Sequence, residues 1–311
     1  MMLAFGNPVY DSIRTPWVST RDRVLSGCAT NAALAFSRLG GKATVVGRVG
    51  KDRIDDYHAS FDRLGIKHLT QECAESGGFG LDYDDRGRRE LTVLGKADPV
   101  EQIPTDLESA ELVFIGPVLQ ETPHKLIESI RKRTEATMVL DPQGLLRRFG
   151  ADGHIEHFKP DGIEELCASF DIVKPNELET EILTGVDPRQ DLERAASILV
   201  DWGIPTVVIT LAELGSLIVN EGQWYRINAV PVLAVDSTGA GDTYAGGLMF
   251  GLSQGMDWEQ AGRLATATSS IMIEQCGPEF EMSLTEAKRR AATLTVDTRT
   301  AASASVSSIR N

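Results

Sequence analysis

The chain has 311 residues with 42% hydrophobic content, and its 31 basic and 45 acidic side chains give a net charge of −14. This length is enough for a full core in one large α/β domain, whereas the acidic balance disfavours nucleic acid as a partner. No stretch of about 20 apolar residues could span a membrane and the first residues lack the features of a signal peptide, so we expect a cytoplasmic globular protein.

Short apolar segments rich in β-branched residues recur along the chain and are typical of buried strands. They occur at 3–5, 43–46, 112–115, 138–140, 172–173 and 206–209. Segments with helical spacing lie between several of them, at 29–39, 122–133 and 192–202. This alternation predicts a mostly parallel sheet covered by helices on both faces, with ligands bound beyond the carboxyl ends of the strands.

Residues 79–94 break the alternation. Phe79, Leu81 and Tyr83 alternate with small or polar residues, a turn-like segment follows at 84–87, and β-type sequence resumes at 91–94. The pattern predicts a hairpin. Because a lone hairpin is marginally stable in water, we expect its apolar face to lie on the body of the protein, on a ligand or on a second subunit, which would give a homodimer.

The C-terminal end has a different composition. Residues 295–311 are rich in Ser, Thr and Ala and have no sustained apolar period. Such composition is typical of disorder. We therefore expect a single domain over residues 1–294 and a disordered tail over 295–311.

Two segments near the N-terminus carry polar residues suited to a sugar-like ligand. Asp11 follows the first strand, and Gly27 and Asn31 lie in a small-residue loop that enters a helix. Asp and Asn side chains can accept from and donate to the hydroxyls of a polyol, while glycine lets a ligand approach the backbone. Alternatively, Asp11 is a turn residue and Asn31 belongs only to the start of a helix.

Two later segments suggest a site for a nucleotide and its metal. Asn176 and Glu179 share one face of a helix, where an amide oxygen and a carboxylate can hold the water shell of Mg²⁺, or cap the helix, or do both. Thr210 ends a buried-type strand and Gly215 follows in the next turn, which could pass under a nucleotide or be only structural.

The segment 236–242 (DSTGAGD) carries the most informative pattern, and a helix-like run follows it. Gly239, Ala240 and Gly241 allow a sharp turn that leaves N–H groups uncovered at the start of a helix, where phosphate binds. A carboxylate there, Asp242, would repel the ligand unless it accepts a proton from an attacking hydroxyl, which suggests phosphoryl transfer. The alternative is a tight strand-to-helix turn with an ordinary acidic first helical turn.

In this order and at these spacings, the segments resemble the ribokinase-like (phosphofructokinase-B type) family of sugar and nucleoside kinases over about residues 3–290. Segment 236–242 is similar to the C-terminal signature of that family, 26–52 resembles its N-terminal signature, and 176–179 has its Asn-x-x-Glu pattern. The resemblance implies a ribokinase-like α/β fold with a small β lid over the sugar, formed by about residues 12–25 and 76–97.

The resemblance also implies roles for the matched positions. Asp242 would be the catalytic base, and the amides of Gly239, Ala240 and Gly241 would form an anion hole for the transferring phosphoryl group. The residues implied to hold the acceptor are Asp11, Gly27 and Asn31.

The donor and ions follow from the same resemblance. ATP would lie on Thr210 and Gly215, with Mg²⁺ positioned through water by Asn176 and Glu179. A monovalent cation such as K⁺ would lie near Asp236 and Thr238.

Some positions depart from the family pattern and bear on the acceptor. Ser26 and Cys28 differ from the residues common in ribokinases, which disfavours ribose itself, and Ala212 replaces a frequent glycine of the nucleotide turn. Segment 141–147 (DPQGLLR) weakly resembles inositol kinases, where Gln143 could read a hydroxyl and Arg147 a phosphate.

We therefore expect an ATP- and Mg²⁺-dependent kinase acting on an alcohol group of a small polyol, a sugar or a cyclitol such as inositol. A nucleoside kinase of the same family is the alternative, and a catalytically silent ligand-binding or regulatory protein is an alternative of another class. A Rossmann-type dehydrogenase is disfavoured because the first strand–helix unit lacks Gly-x-Gly-x-x-Gly.

Overall fold

The structure is a computed structural model that describes residues 1–84, 89–150 and 154–300. Its strands are β1 (Met2–Phe5), β2 (Val9–Arg14), β3 (Val24–Ser26), β4 (Ala43–Gly50), β5 (Lys67–Cys73), β6 (Gly78–Tyr83), β7 (Arg89–Gly95), β8 (Leu112–Ile115), β9 (Thr137–Leu140), β10 (Arg147–Phe149), β11 (Ile155–His157), β12 (Ile172–Val173), β13 (Thr206–Thr210), β14 (Ser216–Asn220), β15 (Gln223–Ile227) and β16 (Val296–Thr300). Its helices are α1 (Cys28–Arg38), α2 (Ile54–Leu64), α3 (His124–Arg131), α4 (Ile163–Ala168), α5 (Glu177–Thr184), α6 (Leu192–Asp201), α7 (Ala240–Ser253), α8 (Trp258–Ile273) and α9 (Leu284–Ala291).

Ten of the described strands form one sheet, in the order β16-β15-β14-β13-β12-β9-β8-β1-β4-β5. The strands from β13 to β5 in this order pair in parallel, whereas β14, β15 and β16 extend the sheet as antiparallel strands. All strands and helices predicted from hydrophobic spacing coincide with observed elements. The predicted mostly parallel sheet is thereby confirmed.

Helices cover both faces of this sheet because alternate side chains of each strand point to opposite sides. On β1, Met2 and Ala4 belong to the apolar cluster that includes α1, α2, α7, α8 and α9. Leu3 and Phe5 belong to the cluster that includes α3, α4, α5 and α6. Two apolar layers therefore enclose a buried sheet, as expected for parallel strands.

A second, four-stranded sheet in the order β3-β2-β6-β7 forms the lid. The predicted hairpin is its β6–β7 pair, which is antiparallel, and β2 runs parallel to β6. Asp84 of the turn-like segment 84–87 is described, whereas residues 85–87 lie outside the described part of the chain. The lid thus joins two segments far apart in sequence.

The tail predicted over 295–311 is wrong in its first part. Residues Val296–Thr300 form β16, which pairs antiparallel with β15 at the edge of the large sheet. Backbone hydrogen bonds to an open strand edge need no apolar side-chain pattern, so hydrophobic periodicity could not reveal this strand. Residues 301–311 lie outside the described part of the chain.

The topology brings the carboxyl ends of β1, β9, β12 and β13 to one edge of the sheet, since these strands are parallel. The segments that follow them carry the polar residues singled out in the sequence. Among the described residues, no helix is both long and apolar enough to cross a membrane.

Candidate active site

A cavity of about 480 Å³ lies at this sheet edge, between the body and the lid. Of the residues that the sequence singled out as site residues, Asp236 alone does not line the cavity. The cavity is lined by Asp11, Gly27, Asn31, Gln143, Arg147, Asn176, Glu179, Thr210, Gly215, Thr238, Gly239, Ala240, Gly241 and Asp242. Residues from distant parts of the chain thus share one cavity.

The turn before α7 has the geometry of an anion site. Gly239 caps the helix with φ of 81°, a left-handed conformation, and a Cβ there would lie 2.7 Å from Asn31 Nδ2, so glycine is required. The Ala240 N–H donates to the Ser237 carbonyl at 3.1 Å. Within the described part of the chain, the N–H groups of Gly239 and Gly241 have no hydrogen-bond partner, and these two remain for an anion.

Asp242 lies in the first turn of α7 and is held by two amides. Asn31 Nδ2 donates to its Oδ2 at 2.9 Å, and Gln143 Nε2 donates to its Oδ1 at 3.2 Å. Burial, and next the nearby Asp141, raise the pKa of Asp242, while hydrogen bonds from Asn31 and the Cys28 thiol oppose this rise. A buried carboxylate with a raised pKa, placed in a cavity, suits a proton acceptor.

Lys174 and Asp141 were missed by the sequence analysis as site residues. Lys174 Nζ lies 2.8 Å from Asp141 Oδ2, and both side chains are almost completely buried. Burial lowers the pKa of Lys174, but Asp141 and then Glu179 outweigh burial and hold this pKa above its ordinary value. A Cβ at Gly241 would lie 3.3 Å from Lys174 Nζ, so the ammonium lies directly beside the anion turn.

Asn176 and Glu179 form a capping box at the start of α5. Glu179 N donates to Asn176 Oδ1 at 3.0 Å, and Asn176 N donates to Glu179 Oε2 at 2.8 Å. Burial, and next Asp141, raise the pKa of Glu179 to about 7. The capping interpretation is therefore correct, and the buried carboxylate still faces the cavity with oxygens of the kind that hydrated Mg²⁺ prefers.

Asp11 lines the cavity and connects it to the lid. Its Oδ1 accepts from the Phe79 N–H at 2.8 Å, which joins β2 to β6. Gly27, with φ of 117°, passes so close to Asn7 that a Cβ would lie 2.8 Å from its carbonyl oxygen. The close approach to Asn7 therefore requires glycine at this position, which also lines the cavity.

Asp236 accepts hydrogen bonds from the anion turn and from the loop after α8. Its Oδ1 accepts from Thr238 N at 2.9 Å and its Oδ2 from Gly277 N at 3.4 Å. The Thr238 hydroxyl lies 3.0 Å from the Tyr83 hydroxyl of the lid, a contact that the sequence did not reveal. Lid and anion turn are thus directly connected.

Thr210, at the end of β13, and Gly215 also line the cavity. Gly215 has φ of 85° and approaches the Ile227 carbonyl, while Ala212 has φ of 45°, a region uncommon for a residue with a Cβ. The substitution of the expected glycine by Ala212 therefore occurs at a position with left-handed backbone.

A family model for pfkB family carbohydrate kinases matches residues 13–284. The chain belongs to this family. A ribokinase of Haemophilus influenzae is 29% identical over 265 residues, covering 81% of this chain and 82% of the relative. A cytidine kinase of Thermococcus kodakarensis is 29% identical over 258 residues, covering 81% of this chain and 87% of the relative.

Solved structures confirm the ribokinase-like fold of this pfkB kinase. A pyrophosphate-dependent kinase of the ribokinase family, complexed with a pyrophosphate analogue and myo-inositol, has a TM-score of 0.77 at 23% identity, covering 89% of this chain and 97% of its own. A nucleoside kinase of Burkholderia thailandensis in complex with inosine has a TM-score of 0.73 at 22% identity, covering 94% of this chain and 97% of its own. The family membership makes the protein a phosphotransferase with a hydroxyl group as acceptor.

Proposed function

We propose that this pfkB kinase transfers the γ-phosphoryl group of ATP to a hydroxyl of a small polyol, a sugar or a cyclitol such as inositol. The observation that carries the proposal is the position of Asp242. Its carboxylate follows the uncovered Gly239 and Gly241 amides and is oriented by Asn31 and Gln143 inside one cavity.

Asp242 accepts the proton of the acceptor hydroxyl as the hydroxyl oxygen attacks the γ-phosphorus. A phosphorus–oxygen bond forms to the acceptor, the bond to the bridging oxygen of ADP breaks, and ADP leaves with that electron pair. The Gly239 and Gly241 N–H groups would stabilise charge on the transferring group. Ala240 contributes through the turn geometry, because its own N–H is used by Ser237.

Two positive charges, that of Lys174 and that of a bound Mg²⁺ ion, would stabilise the same transfer step. Lys174 adds a formal positive charge beside the Gly241 amide, close to where the phosphoryl charge would develop. Asn176 and Glu179 would hold Mg²⁺ through water, and the ion would neutralise phosphate oxygens. Asp236 and Thr238, at the base of the turn, are the residues near which we place a monovalent cation such as K⁺.

The lining of the cavity supports separate places for donor and acceptor. Small and apolar residues, namely Ala212, Ala229, Val230 and Ile273, line the same cavity as Thr210 and Gly215, which suits the base of a nucleotide. Asp11, Asn31 and Gln143, which also line the cavity, offer both acceptors and donors, which suits a molecule with several hydroxyls.

A nucleoside acceptor is the second candidate, and the lid favours it. Phe79, Leu81, Tyr83 and Leu91 line the cavity and could pack on a nucleobase. The similarity to a cytidine kinase supports the same candidate. The polar residues near Asp242 favour the polyol.

The proposal is tested by measuring ADP release from ATP and Mg²⁺ with a panel of acceptors. The same panel with pyrophosphate in place of ATP tests which phosphoryl donor is used. Cyclitols and monosaccharides should give the highest kcat/KM. Because unmatched buried polar groups are costly, deoxy analogues should be poorer by up to about 10⁴–10⁵-fold at a buried contact. Preference for a nucleoside over every sugar and cyclitol would replace the polyol with the second candidate. Absence of turnover with all acceptors would reject the proposal.

A further inference from the structure

Arg147, Gln143 and Asp242 form a continuous chain of hydrogen bonds. Arg147 Nη2 donates to Gln143 Oε1 at 3.0 Å, and Gln143 Nε2 donates to Asp242 Oδ1 at 3.2 Å. Gln143 and Arg147 stand four positions apart, just after β9 and at the start of β10. A cation therefore contacts the amide that contacts the carboxylate of the proposed base.

The chemistry of the amide allows one orientation in this chain. A guanidinium has only donors, so only the amide oxygen of Gln143 can accept from Arg147. The amide nitrogen must then point the other way and donate to the carboxylate of Asp242. Without the guanidinium, the Gln143 amide would keep its bond to Asp242 but lose the contact that fixes its other end, so it would hold the carboxylate less rigidly.

The far end of the chain is fixed to the protein frame. Arg147 is only 5% exposed, and its Nη1 donates to the Val118 carbonyl at 3.4 Å. Val118 N in turn donates to the buried Glu121 Oε1 at 2.8 Å. The Val118 carbonyl, in a loop anchored by Glu121, therefore holds the guanidinium in place without a ligand.

We propose that Arg147 is a positioning residue that acts on the base through Gln143, rather than a group that reads a phosphate on the acceptor. Arg147 fixes the Gln143 amide, and the amide fixes the rotamer of Asp242 and favours its charged form. This inference rests on the proposed role of Asp242 as base and holds for a polyol or a nucleoside acceptor alike.

The test compares Arg147→Met, Gln143→Leu and the double variant in steady-state kinetics with the best acceptor of the panel. Arg147→Met should lower kcat by about 10–100-fold and change the acceptor KM by less than about threefold. At saturating Mg²⁺, the double variant should be no slower than Gln143→Leu, because the hydrogen bonds from Arg147 reach the base through the Gln143 amide. Arg147→Lys, which keeps one donor for the amide oxygen, should recover part of the lost kcat.

Arg148→Met is the matched control, since Arg148 is the exposed neighbour that pairs with Glu156 at 2.9 Å. Its kcat should equal that of the unmodified protein. Gln143→Glu covers the case in which Arg147→Met fails to fold. This carboxylate would keep Arg147 paired but could not donate to Asp242, so kcat of the folded variant should fall by at least about 10-fold.

A raised acceptor KM with unchanged kcat in Arg147→Met would overturn the inference and make Arg147 an acceptor-binding residue. Multiplicative losses in the double variant would overturn it as well. Both results can be seen only if the unmodified protein turns over an acceptor. The proposed function itself fails in a different way, by absence of that turnover or by full activity of Asp242→Asn.

Discussion

Lys174 Nζ lies 2.8 Å from Asp141 Oδ2 in the interior, at the carboxyl ends of the neighbouring strands β12 and β9. Removing two charges from water costs free energy that their attraction often does not recover, so a buried ion pair is weak evidence for stability. The position of the pair beside Gly241 and the cavity indicates a role in the site rather than in stability. The pair keeps a positive charge where the phosphoryl group would be transferred.

We expect Lys174→Met to lower kcat by about 10²–10³-fold, the usual loss when one group that stabilises transition-state charge is removed. The variant would also leave Asp141 charged and unpaired, which costs about 3–5 kcal/mol of unfolding free energy. The double variant Lys174→Met with Asp141→Asn should recover most of that stability, because Asn can still accept from Gln143 N. Its kcat should stay low. Recovery of kcat together with stability, measured in parallel by kinetics and thermal unfolding, would make the pair purely structural.

Glu179 provides a test of the proposed metal site. Glu179→Gln should raise the Mg²⁺ concentration for half-maximal rate more than it raises the acceptor KM, because the amide still caps α5 but has lost its charge. Glu181→Gln, on an exposed position of the same helix, is the control and should change neither value. A lowered melting temperature with unchanged Mg²⁺ dependence would leave Glu179 with its capping role alone.

The raised pKa of Asp242 predicts how stability depends on pH. Burial, and next Asp141, favour the protonated form in the native state, so the native state binds more protons than the unfolded chain between the unfolded and the raised native pKa. The stability contributed by protonated Asp242 is therefore present at low pH and lost as pH rises through the native pKa. Asp242→Asn has no such loss. Its melting temperature should exceed that of the unmodified protein at about pH 8, and the difference should shrink toward about pH 5. A lower melting temperature of the variant throughout this range would contradict the assigned direction of the pKa.

Asp11 tests the acceptor side of the cavity. Asp11→Ala should raise the acceptor KM by at least about 10-fold while sparing the affinity for nucleotide, because a buried group that bonds substrate hydroxyls is lost. The variant also loses the contact with Phe79 N, so its thermal stability is measured alongside. An unchanged KM with reduced stability would restrict Asp11 to holding the lid.

The sequence predicted the parts of the site that local pattern determines. Hydrophobic spacing predicted β1, β4, β8, β9, β12 and β13, and the small residues at 239–241 predicted a turn with uncovered amides before α7, of which Gly239 and Gly241 are free. The Asn31–Asp242 and Gln143–Asp242 contacts join residues 211 and 99 positions apart, and only the packing of strands and helices brings these together. From the sequence alone, only the resemblance to known kinases placed Asn31, Gln143 and Asp242 in one predicted site.

Lys174 shows what the pattern could not provide. A lysine just after the apolar strand β12 is equally typical of an exposed turn, and its burial depends on Asp141 from another strand. A charged residue at the carboxyl end of a buried parallel strand was nevertheless a usable signal. The strand β16 has no such signal in its sequence, since backbone pairing at an open sheet edge does not require particular side chains.

The central claim is that Asp242 takes the proton of the acceptor hydroxyl, and single-turnover kinetics of Asp242→Asn with measured nucleotide affinity tests it most directly. Asn keeps the size of the side chain and can be bonded by Asn31, but it cannot accept the proton. The phosphoryl-transfer rate should fall by about 10²–10⁴-fold or more, with the Kd for ATP nearly unchanged. A variant that folds, binds ATP and transfers the phosphoryl group at a near-normal rate would contradict the account.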